Sequence, residues 1–399
     1  MKTKRFLAAL PGRLCLIIVA AIILIFFSND FGLVDIQKTA IVLAVGIDRD
    51  GEDFALTAQI AVPKGSDRTT GGTSSVEIEG RGATVPDCIS DIYAKTGWVP
   101  KLVFCNLVLL GESAANEDVF SCLDFFLRNE YIPNSCQLAA CEGSAGEMLS
   151  TTSAIDDTSA LALSKLFSDA AKKSGYVLTT TLREFAVGYY GVSGSGYMPY
   201  VRAQAQEGSS SGGSSGGSSG SAGSSGSSDR SGGAGAQEKK VYSAEETAIF
   251  SGGRLAAILP REQTFAFSLL EGNVYTGSFQ ADGQTYVVLK NGGSVGLELA
   301  DVPTATLSLE LRVQLYGTRE ASSPEEIAKS MLTPEQEARA EEVLTGYLSD
   351  LWDTCVQTGC DLFELRTKLY RASLAEYGQW KDSILDAPVK IEATIKSVS

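Results

Sequence analysis

The apolar and polar positions of this chain follow two periods, and both predict regular structure. From Lys38 to Ile47 and from Phe54 to Val62 the residues are largely apolar, and the second run alternates, which is typical of strands. Asp50-Gly51 between the runs is a turn signal, so together they predict a β-hairpin. Apolar residues that recur every three or four positions predict helices elsewhere. The other elements predicted for the first half are helices at Pro86–Trp98, Asn116–Arg128, Ser159–Lys173 and Thr181–Tyr189, and strands at Lys101–Leu110 and Gln137–Cys141.

The second half is predicted to contain strands, a capped helix and a closing strand. Thr333-Pro334-Glu335-Gln336 places a hydroxyl at the N-cap, proline at the first helical position and an amide at the third, which is a capping-box pattern. Apolar residues then recur every three or four positions up to Cys355, so they lie on one helix face. The other elements predicted here are strands at Thr247–Phe250, Leu255–Leu259, Thr285–Leu289, Val295–Leu299, Thr304–Tyr316 and Val389–Val398, and a helix at Asp361–Tyr370. We expect the last strands to complete an antiparallel sheet packed against helices.

The N-terminus predicts a membrane anchor. Lys2, Lys4 and Arg5 open the chain, and the stretch from Leu14 to Phe27 then runs 14 residues without a charge. Positive residues before an apolar run keep the N-terminus cytoplasmic and send the following chain across the membrane. The run spans roughly 21 Å of a hydrocarbon core of roughly 30 Å, so flanking residues including Phe31 would have to contribute. The residues assigned to the anchor are Leu14, Cys15, Leu16, Ile17, Ile18, Val19, Ile22, Ile23, Leu24, Ile25, Phe26 and Phe27.

Two alternatives remain open for this segment. A cleaved signal peptide needs small residues at positions −3 and −1, whereas cleavage after Ser28 would place Phe26 at −3. A buried helix of a soluble protein is the other alternative. With an anchor or with a signal peptide, the bulk of the chain lies outside the cytoplasm.

A Ser/Gly-rich stretch interrupts the pattern of folded elements. From Gly208 to about Gly235 the residues are almost only serine and glycine, a composition that cannot bury enough apolar surface to fold. We therefore expect a flexible linker, or a loop inserted within one domain. The fold class predicted is α+β, with several mixed domains whose antiparallel or mixed sheets pack against helices. The predicted organisation is an anchor at 1–33, an N-terminal α+β region of one or two domains at 34–206, the Ser/Gly-rich segment at 207–237, a strand-rich region at 238–302 and a C-terminal α+β domain at 303–399.

Composition narrows the classes of function. A net charge of −15, from 33 Lys+Arg and 48 Asp+Glu, repels phosphate backbones, so no nucleic-acid partner is predicted. The chain has no histidine, which excludes Ser-His-Asp and Cys-His nucleophile systems and histidine-based zinc sites. Of eight cysteines, Cys15 lies in the apolar segment. The remaining seven are an odd number and cannot all be paired, which argues against a complete disulfide framework. Bridges between Cys136 and Cys141 or between Cys355 and Cys360 stay open.

No catalytic residue, cofactor site or metal site is predicted. Asp48 to Asp53 holds four carboxylates in six residues, but in an EF-hand register Gly51 would fall at position four and Gln59 at position twelve. A solvated hairpin turn explains these residues better. The glycines between Gly191 and Gly196 lack the Lys-Ser/Thr pair of a phosphate-binding loop, so we expect a turn there. The apolar residues from Leu123 to Leu127 favour a core helix over a partner groove.

Several short motifs occur along the chain in a recognisable order. They are AVGIDRD (Ala44–Asp50), LTAQIAVP (Leu56–Pro63), LLGESA (Leu109–Ala114), LDFFLRNE (Leu123–Glu130), AGEML (Ala145–Leu149), ETAIFSGGRLAAIL (Glu246–Leu259), CDLFELRTKLY (Cys360–Tyr370) and VKIEATI (Val389–Ile395). In order and spacing the chain resembles the Ger(x)C family, the C subunits of spore nutrient germinant receptors. The resemblance extends from about Val34 to Ser399, except for the Ser/Gly-rich stretch. The residues carried over from the family motifs, with a structural role expected, are Gly46, Ile47, Asp48, Gln59, Gly111, Glu112, Leu123, Asp124, Arg128, Phe363 and Trp380.

The chain departs from this family at its start. Family members usually begin as lipoproteins, with a lipobox cysteine just after the apolar run. Here Cys15 precedes that run and follows Gly12-Arg13-Leu14, so no lipidation site is found. On this interpretation a membrane helix replaces the lipid anchor. The Ser/Gly-rich stretch is the second departure.

The resemblance implies a non-enzymatic subunit that supports nutrient-triggered spore germination through protein contacts. The partners it implies are a multi-spanning A-type subunit and a permease-like B-type subunit, with membrane lipid contacted through the N-terminal helix. The implied location is the spore inner membrane, with the main body on the extracytoplasmic face. No cofactor is expected. The alternatives are a membrane-anchored extracytoplasmic solute-binding protein and a cell-wall hydrolase that works through carboxylates.

Overall fold

The computed structural model describes residues 18–21, 39–62, 74–153, 156, 158–205, 240–316 and 332–397. The strands are β1 Thr39–Asp50, β2 Asp53–Val62, β3 Ser74–Gly82, β4 Val99–Lys101, β5 Leu107–Leu110, β6 Gln137–Cys141, β7 Thr180–Thr181, β8 Ser195–Ala205, β9 Lys240–Ser251, β10 Arg254–Leu259, β11 Ser278–Ala281, β12 Gln284–Glu298, β13 Thr304–Tyr316 and β14 Val389–Ser397. The α-helices are α1 Val85–Thr96, α2 Glu112–Ala115, α3 Phe120–Arg128, α4 Ala145–Ser150, α5 Ser159–Leu166, α6 Asp169–Lys173, α7 Leu182–Tyr190, α8 Arg261–Leu270, α9 Pro334–Thr358, α10 Leu365–Ala372 and α11 Leu374–Trp380. Single 3₁₀ turns lie at Leu102–Phe104 and Ile384–Asp386.

Within these ranges, ten strands form one mixed sheet. Its order is β10-β9-β8-β6-β5-β1-β2-β3, with β4 beside β1 and β7 beside β6. The strands β1, β4, β5, β6 and β8 pair in parallel, whereas β2 and β3 on one side and β9 and β10 on the other pair antiparallel. We call the side where these parallel strands begin the amino edge, and the side where they end the carboxyl edge.

Helices cover this first sheet on both faces. Successive side chains of a strand point to opposite faces, so Val108 and Leu110 of β5 belong to the core under α1, α3 and α7. Leu107 and Leu109 belong to the core under α4 and α5. Burial on both faces explains why these central strands are continuous apolar runs without alternation.

The second sheet has the order β11-β12-β13-β14 and shares a core with α8, α9 and α10. The long helix α9 begins at the predicted capping box, in which the Thr333 hydroxyl accepts from the Gln336 amide and the Gln336 side chain accepts from the Thr333 amide. It ends at Gly359, whose φ of 66° is the left-handed conformation that glycine adopts without strain. Trp352 of α9 stacks on Phe363 with ring centroids 5.3 Å apart.

The two sheets are joined by the chain that follows β10. β8 and β9 are antiparallel neighbours, from Ser195 paired with Ser251 to Ala205 paired with Lys240. The chain therefore returns to the first sheet after residue 240, and only after β10 does it continue through α8 into the second sheet. We call the β8–β9 pair the ribbon.

The structure confirms the α+β class, the β1–β2 hairpin and the capped helix, and corrects four elements. Ser159–Lys173 is not one helix, because it is divided into α5 and α6. Lys101–Leu110 is not one strand, because a 3₁₀ turn separates β4 from β5. Thr285–Leu289 and Val295–Leu299 are parts of one strand, β12. The last sheet is not purely antiparallel, because β14 pairs in parallel with β13 after the helical crossover.

Several predictions fall wholly or partly outside the described residues. Of the predicted anchor, Ile18 and Val19 lie within the short helical stretch 18–21 and are exposed. The other anchor residues and the Ser/Gly-rich segment at 207–237 lie outside the described ranges, and the division into domains stays a prediction. Among the helices of the described ranges, none is both long and apolar enough to cross a membrane.

Candidate functional site

Asp48 is the centre of a hydrogen-bonded cluster at the carboxyl edge of the first sheet. Its carboxylate accepts from the Ser144 hydroxyl at 2.8 Å, from the Ala145 amide at 2.9 Å and from the Gly146 amide at 3.0 Å. These groups form the N-terminus of α4, whose first amides have no partner within the helix. Ser144 also accepts from the Glu147 amide, so it is the N-cap of α4. Asp48 thus fixes α4 to β1 across 96 residues of sequence.

Two glycines make room for this cluster. A Cβ atom on Gly111 would lie 1.9 Å from Oδ1 of Asp48, and one on Gly46 would lie 3.0 Å from the Ala145 carbonyl carbon. Neither glycine has a positive φ, so the close approach of neighbouring atoms is what favours glycine here. Motif residues that are far apart in sequence therefore meet at one point.

Gln59 fixes a second contact between the same strands and helices. Its side chain is 1% exposed, and its amide nitrogen donates to the Leu149 carbonyl at 3.1 Å and to the Ser159 hydroxyl at 2.9 Å. Its amide oxygen accepts from the Ala160 amide at 2.8 Å. The Gln59 amide nitrogen also lies 2.6 Å from Oε1 of Glu77. Gln59 therefore joins β2 to the end of α4 and the start of α5.

An acidic cleft of about 660 Å³ opens beside Asp48. Its acidic lining residues are Asp48, Asp50, Glu77, Glu79, Glu112 and Glu147. Arg49 and Arg81 are the basic residues of the lining, and Arg81 pairs with Asp50 and Glu79. Among the described residues, no group of three or more His, Cys, Asp or Glu is arranged to hold a metal ion.

Glu112 connects the cleft to the ribbon. Its Oε1 accepts from the hydroxyl of Tyr200 in β8 at 2.6 Å, and burial together with this carboxylate raises the pKa of Tyr200. Arg202, two residues further along β8, pairs with Glu142 and with Glu246 of β9. The carboxyl edge is therefore a network of hydrogen-bonded and ion-paired side chains.

A second polar cluster holds the C-terminal part of the chain to the other end of the ribbon. Asp361 is 1% exposed; its amide donates to the Ser195 hydroxyl at 2.9 Å, and its carboxylate accepts from the amides of Leu365 and Arg366, both at 2.8 Å. The Arg366 guanidinium donates to the Ser193 carbonyl at 3.3 Å. Asp361 therefore caps α10 while its backbone contacts β8.

A groove of about 960 Å³ lies beside this junction. It is bounded by α7 and the first residues of β8 on one side and by the chain from Asp361 through α10 on the other. Its apolar lining residues include Phe185, Val187, Val192, Leu362 and Tyr370. Val187 is 66% exposed and Tyr370 is 48% exposed, so the groove presents apolar surface to solvent.

The other residues expected from the motifs are distributed between core and surface. Leu123 is buried in the core under α3, as predicted from the apolar run, and Asp124 pairs with Arg128 at 2.7 Å on the exposed face of the same helix. Ile47 and Phe363 are buried, and Trp380 packs at the border of the second core. The seven cysteines of the described residues are buried and free, including Cys136, Cys141, Cys355 and Cys360.

Sequence reasoning missed the residues that complete these clusters. Ser144, Ser193, Ser195 and Asp361 are not among the residues predicted from the sequence. The turn predicted between Gly191 and Gly196 lies at 191–194, but the strand β8 that follows it is not predicted. The signal available for Ser144 was a hydroxyl three residues before Glu147, which is a capping-box spacing. No local signal marks Ser195, because its partner is 166 residues away.

Comparison with known proteins gives two matches to family models. Residues 33–203 match the model described as the spore germination protein N-terminal domain. Residues 245–398 match the model described as spore germination B3/GerAC like, C-terminal. A search of curated proteins found no match. Among solved structures, the crystal structure of the GerBC protein is similar to this chain, with 15% identity, a TM-score of 0.48, and coverage of 89% of this chain and 97% of that chain.

Proposed function

Because this chain belongs to the Ger(x)C family of spore germination proteins, we propose that it is a non-enzymatic, extracytoplasmic subunit of a germinant receptor complex. Its role in spore germination follows from the family. The finer proposal is that it assembles with a multi-spanning A-type and a permease-like B-type subunit at the spore inner membrane. In that complex it transmits or stabilises conformational states through protein contacts.

The observation that carries this proposal is the groove at the junction of the two regions that match the family models. One wall comes from α7 and β8, within residues 33–203, and the other from the chain around α10, within residues 245–398. Residues such as Asp48, Gln59 and Asp361 use their polar groups to hold elements together. This arrangement supports a body that presents a fixed surface to partners.

Co-purification from spore membranes tests the assembly. A tagged full-length chain extracted in detergent should recover two larger hydrophobic proteins. Val187→Asp places a charge in the groove, and burying that charge against a partner is costly. We expect recovery of the partners to fall at least tenfold, the equivalent of about 1.4 kcal/mol.

The matched control is Val302→Asp, which changes an exposed valine outside the groove. It should leave recovery unchanged. Recovery of the wild-type chain alone would overturn the assembly proposal. If Val187→Asp and Val302→Asp reduce partner recovery equally, the groove is not the surface that binds the partners.

The size of the groove also favours a second candidate function, binding of a small solute. Small-molecule sites commonly enclose about 300–1,000 Å³ and are lined mainly by apolar groups. Ligand binding to the folded state raises the melting temperature by mass action. A panel of amino acids, sugars and nucleosides that produces no shift in melting temperature would exclude this candidate.

A further inference from the structure

The amino edge of the first sheet carries exposed apolar side chains outside both candidate surfaces. Ile41 lies in β1, Trp98 precedes β4, Val103 and Phe104 lie in the turn before β5, and Tyr131 lies in the loop before β6. Their exposed fractions are 41, 44, 45, 54 and 63% respectively. We call these five residues the rim.

The residues of the rim are brought together by strand pairing. Ile41 pairs with Lys101, which places the segment after Trp98 beside the first residues of β1. The 3₁₀ turn with Val103 and Phe104 follows directly. Nζ of Lys101 is 5.9 Å from the ring centroid of Tyr131, so the loop before β6 lies against the same segment. Large exposed aromatic and aliphatic side chains are thus carried by neighbouring segments of the amino edge.

The position of β1 in the sequence places the rim close to the predicted anchor. β1 begins at Thr39, and 11 residues separate it from Phe27, the end of the apolar run. A chain reaches at most about 3.4 Å per residue, so the rim lies within roughly 40 Å of the anchor's end. If the flanking residues up to Val34 complete the span, four residues remain before Thr39 and the limit falls to roughly 17 Å.

The two edges of the sheet also differ in charge, and this difference favours the amino edge as the one nearer a membrane. From Gly97 to Leu107 the only charged residue is Lys101, and the charged residues nearest Tyr131 in sequence are Glu130 and Arg128, whereas six carboxylates line the cleft at the carboxyl edge. On β1, Ile41 of the rim is seven residues from Asp48 of the cleft, so they are roughly 23 Å apart at about 3.3 Å per residue. The Debye length is about 8 Å at physiological ionic strength, so carboxylates at that distance are screened from an anionic bilayer.

We propose that the rim rests in the headgroup region of the lipid bilayer, with Trp98 and Tyr131 at the interface and Lys101 directed to lipid phosphates. Tryptophan and tyrosine favour this region because their rings are apolar and carry a polar group. The inference rests on the membrane placement in the proposed function and adds an orientation. The carboxyl edge and its acidic cleft then face away from the membrane.

Quenching of tryptophan emission by brominated lipid tests this contact. The full-length chain is reconstituted without partners in phosphatidylethanolamine/phosphatidylglycerol vesicles, with and without bromine on the acyl chains. The chain has three tryptophans; Trp352 is 5% exposed and Trp380 packs beside the second core. We expect bromolipid to quench the wild-type emission and this quenching to be lost in Trp98→Phe. Trp380→Phe is the matched control and should keep it.

A second reporter removes dependence on one substitution. In the Trp98→Phe background, Tyr131→Trp should restore quenching, whereas Glu52→Trp at the β1–β2 turn, at the carboxyl edge, should not. Absence of wild-type quenching, or equal behaviour of the two added tryptophans, would overturn the inference. If bromolipid does not quench the emission but the partner subunits co-purify, the proposed function stands and the lipid contact is rejected. Quenching without co-purification would reject the function and keep the lipid contact.

Discussion

The Asp48 cluster gives the sharpest test of how the motifs specify the first sheet. Asp48→Ala removes a carboxylate that accepts three hydrogen bonds from the N-terminus of α4. Loss of a cap costs about 1–2 kcal/mol, and hydrogen bonds to a charged group cost somewhat more. Asp48 is only half-buried, so water replaces part of the loss. We expect the free energy of unfolding to fall by about 2–3 kcal/mol.

Amide hydrogen exchange measured by mass spectrometry locates this effect. If α4 opens locally, a loss of about 2–3 kcal/mol accelerates exchange of the Ala145 and Gly146 amides roughly 30- to 150-fold. Urea unfolding should show a midpoint lower by about 1 M, for a slope of about 2–3 kcal/mol per M. Asp48→Asn keeps an oxygen acceptor without the charge, so its effect should be intermediate.

The control lies two residues away on the same strand. Asp50 is exposed, and its ion pair with Arg81 lies between side chains that are more than half exposed. Exposed pairs contribute little to stability, so Asp50→Ala should not measurably change either assay. If Asp48→Ala and Asp50→Ala behave alike, the cap does not hold α4 in place and the reasoning is refuted.

Three further changes test other contacts. Gln59→Leu leaves the Ala160 amide without its buried acceptor and should lower the free energy of unfolding by about 2–3 kcal/mol in urea titration; a loss near zero would contradict the burial of this group. Gly111→Ala should destabilise the protein through the clash with Asp48, whereas Gly346→Ala in the open interior of α9 should stabilise it by about 0.5–1 kcal/mol; the same sign for both in thermal melts would refute this. Burial raises the pKa of Cys122 to about 12, so the native protein at pH 8 should react with Ellman's reagent far more slowly than in urea, and rapid labelling of several thiols would show otherwise.

The sequence was most informative where structure is local. The Asp50-Gly51 turn signal lies in the β1–β2 hairpin, and the capping box at Thr333 begins α9, because both depend on residues within four positions of each other. The strand Thr304–Tyr316 has the predicted bounds because it alternates on one buried face. The family resemblance drawn from short motifs is likewise confirmed by the two family models.

Elements that depend on distant partners were harder to predict. β8 begins with two small residues, Ser195 and Gly196, and it is a strand because it lies between β6 and β9. The parallel pairing of β14 with β13 follows from the crossover through α9, which no local pattern encodes. The Asp48 cluster needs contacts across 96 to 98 residues. The motif residues could therefore be named from the sequence, but their meeting point could not.

The ribbon has a consequence for the chain's tolerance of cleavage. β8 ends at Ala205 and β9 begins at Lys240, and their backbones pair along the whole length of β8. A protease that cuts between these positions would therefore produce two polypeptides that stay associated through the shared ladder and the Asp361 contacts. Separately expressed halves, divided at that point, should reassemble into a native heterodimer. We therefore expect the covalent continuity of the chain to be dispensable there.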